Sequence, residues 1–353
     1  MQLLSRSVGV NNASENCTVE NIVQLPTTTE KDCPLLFYLF PQAMPIIYFI
    51  LCCFGLLANI FEVTVFLKNI TSWKSSGVVI INLVLADMIT LFSFVPYAVY
   101  LNLNYSWTMG KLMCQITLFS MVLGTTANTT FICAISLERF FAIVFPIRFC
   151  HLCTVKNACI FSVFLWIIAS VTPLAVLSNV QYKTHRGKDY YCGMLYNLES
   201  GLSLFIFSSL VFILFNVLVP LIIIVVSYIQ ICKTLQQFYK RKRAPGNKEK
   251  TMKLISSVIA VYLICWFPAQ VMNTLTSSIY QMFRTCKNVC ILTQVTNSCN
   301  ELVNFLSILN ACIDPVMYRL NHGFPCCLKL KNRAVSCGCC PRASHHQQPP
   351  PLN

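Results

Sequence analysis

The 353 residues are 56% hydrophobic and 11% charged, with mean hydropathy +0.63 and net charge +14. That balance excludes an ordinary soluble domain and indicates a chain built for a bilayer. All five histidines, His151, His185, His322, His345 and His346, fall in loops or the tail, so no span holds a nucleophile-base pair or metal cluster, and an intramembrane enzyme is not expected.

Residues 1–42 form the expected extracellular segment, whose start "MQLLSRSVGV" has no apolar core of a cleaved signal peptide. The sequons at Asn12 and Asn16 mark it for glycosylation. A bilayer core of about 30 Å takes roughly 20 apolar residues per helix. Such stretches occur at 43–67, 77–101, 112–137, 157–178, 202–231, 254–280 and 289–318. The last is interrupted by Asn297, Asn300, Glu301, Asn304 and Asn310, but "FLSILNACIDPVMY" restores an apolar periodicity. The expectation is an all-α membrane protein, a seven-transmembrane helix bundle over 43–320 with a tail at 321–353.

Orientation follows from the basic residues. With the N-terminus outside, 18 of the 26 Lys and Arg residues fall on the inner side, eight of them around "QQFYKRKRAPGNKEK" at 236–250. This positive charge suits an anionic inner leaflet and membrane lipids, so "KRKR" is not read as a nucleic-acid patch. No internal symmetry suggests a transporter.

Of the 21 cysteines, six lie outside, where stable disulfides form. Cys114 opens the third span and Cys192 sits in the loop between the fourth and fifth, so a bridge between them would fasten that loop across the helix mouths. Cys17, Cys33, Cys286 and Cys290 admit three pairings, of which Cys33 with Cys290 is favoured and Cys286 with Cys290 is the local alternative. Cys326 and Cys327 face the cytosol beside basic residues, the setting for palmitoylation.

Charges in hydrocarbon are costly, about 2.5–3.5 kcal/mol each at a span centre on insertion scales. Charges near span ends reach the interface by extension, the expectation for Glu301 and for Glu138-Arg139. Asp87 and Asp314 are too deep for that and require a polar interior, with Asn59, Asn128 and Asn310 as candidate partners.

These residues resemble the rhodopsin-like (class A) G-protein-coupled receptors from about 43 to 328. The motifs occur in order: Asn59 of "GLLAN", Asp87 of "NLVLAD", Cys114, Glu138-Arg139-Phe140 for the usual Asp-Arg-Tyr, Trp166, Pro220 with Tyr228, Cys265-Trp266-Phe267-Pro268, and Asp314-Pro315-Val316-Met317-Tyr318. The resemblance implies a switch in which Glu138 restrains Arg139 until Arg139 meets a heterotrimeric G protein. By the same resemblance Trp266 above Pro268 would act as a toggle, the proline kinking the helix, and Tyr228 and Tyr318 would hold the open form. It implies an allosteric sodium pocket at Asp87, Asn128, Asn310 and Asp314, no other cofactor, arrestin as a further partner, and a short amphipathic helix after helix 7.

Met121 replaces the aspartate of amine receptors and Ile308 the lysine of opsins, so neither ligand class is expected. The chain resembles the purinergic, lysophospholipid and chemokine branch. The pocket projected from spacing contains Tyr97, Tyr100, Met121, Thr125, Gln270, Asn273, Asn300, Glu301 and Asn304, with Arg186 among the basic loop residues above it. An anionic amphiphile or a peptide is the expected ligand. The alternative is a silent or scavenging receptor that binds ligand without activating a G protein, suggested by Phe140 and by Lys248-Glu249 in place of a lone acidic lock.

Overall fold

The computed structural model describes residues 35–68, 75–103, 106–177, 180–185, 189–194, 213–240 and 289–321, with isolated positions 210, 264, 267, 268, 271 and 272. Its helices are α1 (Leu35–Lys68), α2 (Ser75–Asn102), α3 (Gly110–Val144), α4 (Pro146–Leu152), α5 (Val155–Leu177), α6 (Val219–Lys240) and α7 (Val289–Asn321). Five segments within α1, α2, α3, α5 and the Leu214–Gln237 stretch are long and apolar enough to cross a membrane; α7 carries the polar residues noted above. The sixth expected span lies almost wholly outside the described residues, as do Cys33, Asn12, Asn16, Cys326, Cys327 and the expected helix after α7.

The third helix corrects the expectation that Glu138-Arg139 end their span. The apolar run after Arg139 carries α3 on to Val144, and Pro146 stops it because proline lacks an N–H and its ring collides with the carbonyl four residues earlier. Pro146 then opens α4 at the first helical position, where a missing N–H costs nothing. Pro220 acts similarly before α6. Unable to donate to the carbonyl of Asn216, it follows a π-turn over Leu214–Leu218 in which the Val219 N–H reaches Leu214 O.

The all-α expectation also needs an amendment at the outer loop. Val180–His185 (β1) and Asp189–Met194 (β2) pair as an antiparallel hairpin with Tyr182 opposite Cys192. The Cys114–Cys192 disulfide forms, with a Cα–Cα separation of 5.7 Å, and ties β2 to the start of α3. Beneath it Tyr100 and Trp107 pack edge to face, and the Trp107 indole donates to Gly110 O at 2.8 Å. Gly110 sits at φ 80°, a conformation that glycine adopts without strain.

Helices α2 and α3 are central, with 56% and 61% of their spanning windows buried against 28% for α1, α5 and the fifth span. One cluster packs Leu83, Ala127, Phe131, Leu165 and Ile224 from α2, α3, α5 and α6; a second packs Tyr48, Cys52, Leu91, Phe94 and Ile308 from α1, α2 and α7. Two glycines permit close approach. A Cβ on Gly124 would lie 2.8 Å from the Thr90 backbone nitrogen, and one on Gly55 2.7 Å from Cys312 Sγ. Polar crossings tie the helices at defined points: Trp166 Nε1 donates to Asn82 Oδ1 at 2.8 Å, and Thr126 Oγ1 to Ala169 O at 2.9 Å.

Candidate functional site

Halfway along the bundle the chain gathers the polar residues that its apolar spans could not solvate. Asp87 on α2, Asn128 on α3, and Asn310 and Asp314 on α7 are all buried. Asn310 and Asp314 share a face because they lie four residues apart on a helix. Asn128 is the hub. Its Nδ2 donates to Asp87 Oδ1 and, at 2.8 Å, to Asp314 Oδ2, while its Oδ1 accepts from Asn310 Nδ2 at 3.1 Å. Asn310 Nδ2 also lies 3.3 Å from Asp314 Oδ2. Asp87 Oδ2 and Asn310 Oδ1 have no hydrogen-bond partner among the described residues.

Two buried carboxyl groups with an unmatched oxygen make a demand for positive charge, since an uncompensated ion in a low-dielectric interior is costly. The donor set is all oxygen and amide, which suits a hard cation rather than a transition metal. Asn59, expected as a further partner, is fully buried nearby but serves the backbone: its Nδ2 donates to Gly55 O at 2.9 Å and Ala311 O at 3.0 Å, joining α1 to α7.

Glu301 corrects the expectation of a charge reaching the interface. It is only 3% exposed. Tyr48 OH from α1 lies 2.7 Å from Glu301 Oε2 and 2.7 Å from the Glu301 carbonyl oxygen, and Tyr97 OH from α2 donates to Oε1 at 3.1 Å. Tyr48 was not legible as a site residue, because an aromatic in an apolar run gives no sign of a partner 253 residues away. Of the projected pocket, Tyr97, Met121, Asn300 and Asn304 are half-buried; Tyr97 bonds to this carboxyl group, Asn300 and Asn304 lie beside Glu301 on α7, and Met121 packs against the cluster of α1, α2 and α7. Tyr100 is instead buried with Trp107 under the disulfide, and Thr125 turns back on its own helix, bonding to Met121 O and Val122 O. Arg186, Gln270 and Asn273 lie outside the described residues.

The inner ends of α2 and α3 form a third polar group. Ser75 Oγ donates to Glu138 Oε1 at 3.1 Å and also pairs with Cys153 Sγ, beyond α4. Among the described residues no ion pair joins Glu138 to Arg139. Adjacent helical residues point about 100° apart, so Glu138 turns towards α2 while Arg139 points elsewhere. Phe140 packs its ring against Phe141 and Phe145, at centroid separations of 5.1 and 5.8 Å. Tyr228 and Pro268 are half-buried and Pro315 is buried; Trp266 and the Tyr318 side chain lie outside the described residues.

Long apolar helices, a polar cluster at their centre and an outer disulfide define a multi-pass membrane receptor. Residues 58–318 match the model of the 7 transmembrane receptor (rhodopsin family). The chain belongs to that family, whose fold is a seven-helix bundle in the plasma membrane. It is 27% identical to the type-1 angiotensin II receptor B of Xenopus laevis over 311 residues, covering 87% of this chain and 82% of that one. It is 27% identical to the G-protein coupled receptor 183 of Bos taurus over 289 residues, covering 78% and 76%. Against the C-C chemokine receptor type 1 of Macaca fascicularis identity is 24% over 279 residues, covering 78% and 75%.

Proposed function

We propose that this receptor binds an extracellular peptide and activates a heterotrimeric G protein through the inner ends of helices 3, 5, 6 and 7. The observation that carries the ligand class is Glu301, a buried carboxyl group that α1 and α2 supply with tyrosine hydroxyls. A ligand amine or guanidinium would find an acceptor there, whereas the headgroup of an anionic amphiphile would meet a like charge. Relatives named for angiotensin II and for C-C chemokines support the same reading. The basic outer loop residues, Arg186 among them, would then face acidic positions of the peptide.

On the inner side Arg139, half-buried on α3, is the group that meets the G protein, and one relative's name states G-protein coupling. At the centre a sodium ion would be held by Asp87 and Asp314 with Asn128 and Asn310, supplying the positive charge that the unmatched Asp87 oxygen invites. The bound ion would favour the inactive form, because it ties α7 to α2 and α3.

Ligand-independent and peptide-stimulated nucleotide exchange, measured across the G-protein families beside Arg139→Ala, tests the function. Exchange that Arg139→Ala abolishes is expected. No exchange with any family despite surface expression would overturn it in favour of a silent or scavenging receptor. Glu301→Gln is expected to lower the potency of a stimulating peptide at least tenfold, the cost of a lost charge-assisted bond of about 1.5–3 kcal/mol; unchanged potency would remove Glu301 from the pocket.

A further inference from the structure

The two oxygens of the Glu301 carboxyl group are held unequally. Tyr48 on α1 is fully buried, and its OH lies 2.7 Å from Oε2 and 2.7 Å from the Glu301 carbonyl oxygen. Tyr97 on α2 is half-buried and donates to Oε1 at 3.1 Å, the longer bond. Its ring also packs against Phe94, Tyr100 and Tyr48, with centroids 6.0, 6.1 and 6.4 Å away, so those contacts survive loss of the hydroxyl alone. Among the described residues no second donor reaches Oε1. Glu301 is 3% exposed, so an incoming group reaches the carboxyl group only by displacing a tyrosine. The exchangeable oxygen is Oε1, and the group to be replaced is the Tyr97 hydroxyl. One available oxygen discriminates between cations. A guanidinium binds a carboxylate best through two parallel bonds to both oxygens, and Tyr48 withholds the second. An ammonium is a compact charge with three rotatable donors. A single bond to Oε1 serves it, and half-buried Asn304, three residues on along α7, puts an amide on the same helix face as a further acceptor.

We propose that Tyr97 is a gate over Glu301, opened by a ligand ammonium, an α-amine or a lysine side chain, that takes Oε1 from the tyrosine hydroxyl. The proposal rests on the reading of Glu301 as the acceptor for a ligand cation and narrows that cation to one class. Tyr48 stays in place throughout and keeps the carboxyl group joined to α1. The Tyr97 hydroxyl is thus a competitor of the ligand, and its removal tightens binding. Loss of a residue that merely shaped the pocket would weaken binding, so the sign separates the two roles.

The test melts full-length receptor in lipid nanodiscs against rising concentrations of small probes at equal ionic strength. Glycinamide presents an α-amine, N-acetyl-lysinamide a side-chain ammonium, N-acetyl-argininamide a guanidinium, and N-acetyl-glycinamide no charge. A probe that binds only the folded state raises the melting temperature by mass action. An ammonium probe is expected to stabilise the parent at lower concentration than the guanidinium probe, and whichever ammonium acts first tells α-amine from lysine. Tyr97→Phe is expected to lower the half-effective concentration of that probe about three- to tenfold, the span of one hydrogen bond of ordinary net strength. Tyr97→Leu, which also lacks the hydroxyl, is the second variant and should shift it in the same direction. In a Glu301→Gln background Tyr97→Phe gains nothing, as a shared interaction requires. An unchanged or higher half-effective concentration in both Tyr97 variants, an equal gain in the Glu301→Gln background, or a guanidinium probe that outdoes both ammonium probes overturns the gate. Binding that needs Glu301 but gains nothing from Tyr97→Phe removes the gate and leaves Glu301 as the acceptor. An ammonium probe that stabilises Glu301→Gln receptor as well as the parent, or no stabilisation of parent and Tyr97→Phe alike, overturns both.

Discussion

Replacing Asn128 by alanine is the sharpest perturbation the bundle offers, because a single amide joins three helices. The change removes the Nδ2 donations to Asp87 Oδ1 and Asp314 Oδ2 and the acceptance from Asn310. Each bond to a charged group contributes about 1.5–3 kcal/mol net. Two of them give about 3–6 kcal/mol, reduced where water enters the cavity left behind and where Asn310 continues to serve Asp314 at 3.3 Å. Against total stabilities of about 5–15 kcal/mol this is a large fraction. At roughly 2–4 °C per kcal/mol for large domains, Asn128→Ala receptor in detergent should melt about 10 °C below the parent. The assay is thermal unfolding in sodium chloride and in choline chloride at equal ionic strength. The parent should melt higher in sodium, because an ion that binds only the folded state stabilises it by mass action. The variant should lose most of that difference. A variant melting within about 1 °C of the parent would refute the reckoning of buried bonds, and a parent indifferent to sodium would remove the ion from the site.

Three further substitutions probe other parts of the molecule. Gly124→Ala drives a methyl group into Thr90 Oγ1 and places it 2.8 Å from the Thr90 backbone nitrogen; overpacking of about 1–3 kcal/mol should appear as a lower melting temperature. Adding Thr90→Ala should rescue only part of the loss, because the backbone clash remains. Cys114→Ala opens a bridge between residues 78 apart, which chain entropy values at about 4 kcal/mol; reduced surface expression and lost peptide binding are expected in flow cytometry. Tyr48→Phe should lower the melting temperature more than Tyr97→Phe, since the Tyr48 hydroxyl is the closer to Glu301, at 2.7 against 3.1 Å, and its ring is fully buried.

How much of this could be read from residues alone depended on whether a residue contradicted its surroundings. Asp87, Asn128, Asn310 and Asp314 stood out because a polar group inside an apolar span must find another, and the bundle does bring these four together. Glu301 stood out too, but its depth was misjudged. Twelve residues separate it from the start of α7, and at 1.5 Å per residue that is about 18 Å, too far for a glutamate to reach water along the helix. Ser75 and Tyr48 gave no signal. Serine at a helix start reads as a cap and tyrosine in an apolar run as packing, and both acquire their roles only through tertiary partners 63 and 253 residues away. The hairpin at Val180–Met194 was hidden for a related reason: its two short strands are rich in polar residues and pair with each other, so no clear alternation of apolar and polar residues marks them.

The distribution of fastenings along α3 indicates which parts are able to move. Near its outer half Gly124 abuts the backbone of Thr90 on α2; four residues on, Asn128 donates to Asp87 on α2; ten further, Glu138 accepts from Ser75, again on α2. These points span about 21 Å of helix, and contacts at three depths leave two helices no hinge between them. Helices α2 and α3 therefore form the fixed frame of the receptor. The bonds from this polar cluster to α7 differ in kind. Asn128 to Asp314 and Asn310 to Asn128 are side-chain bonds, at 2.8 and 3.1 Å, within a buried cluster that keeps an unmatched Asp87 oxygen. The proposed sodium ion, exchanged for an amide there, would change the hold on α7 without disturbing α2 against α3. Under the proposed function, a signal from the Glu301 end of α7 would reach the inner rim through α7 itself, while α3 stays in place and presents Arg139.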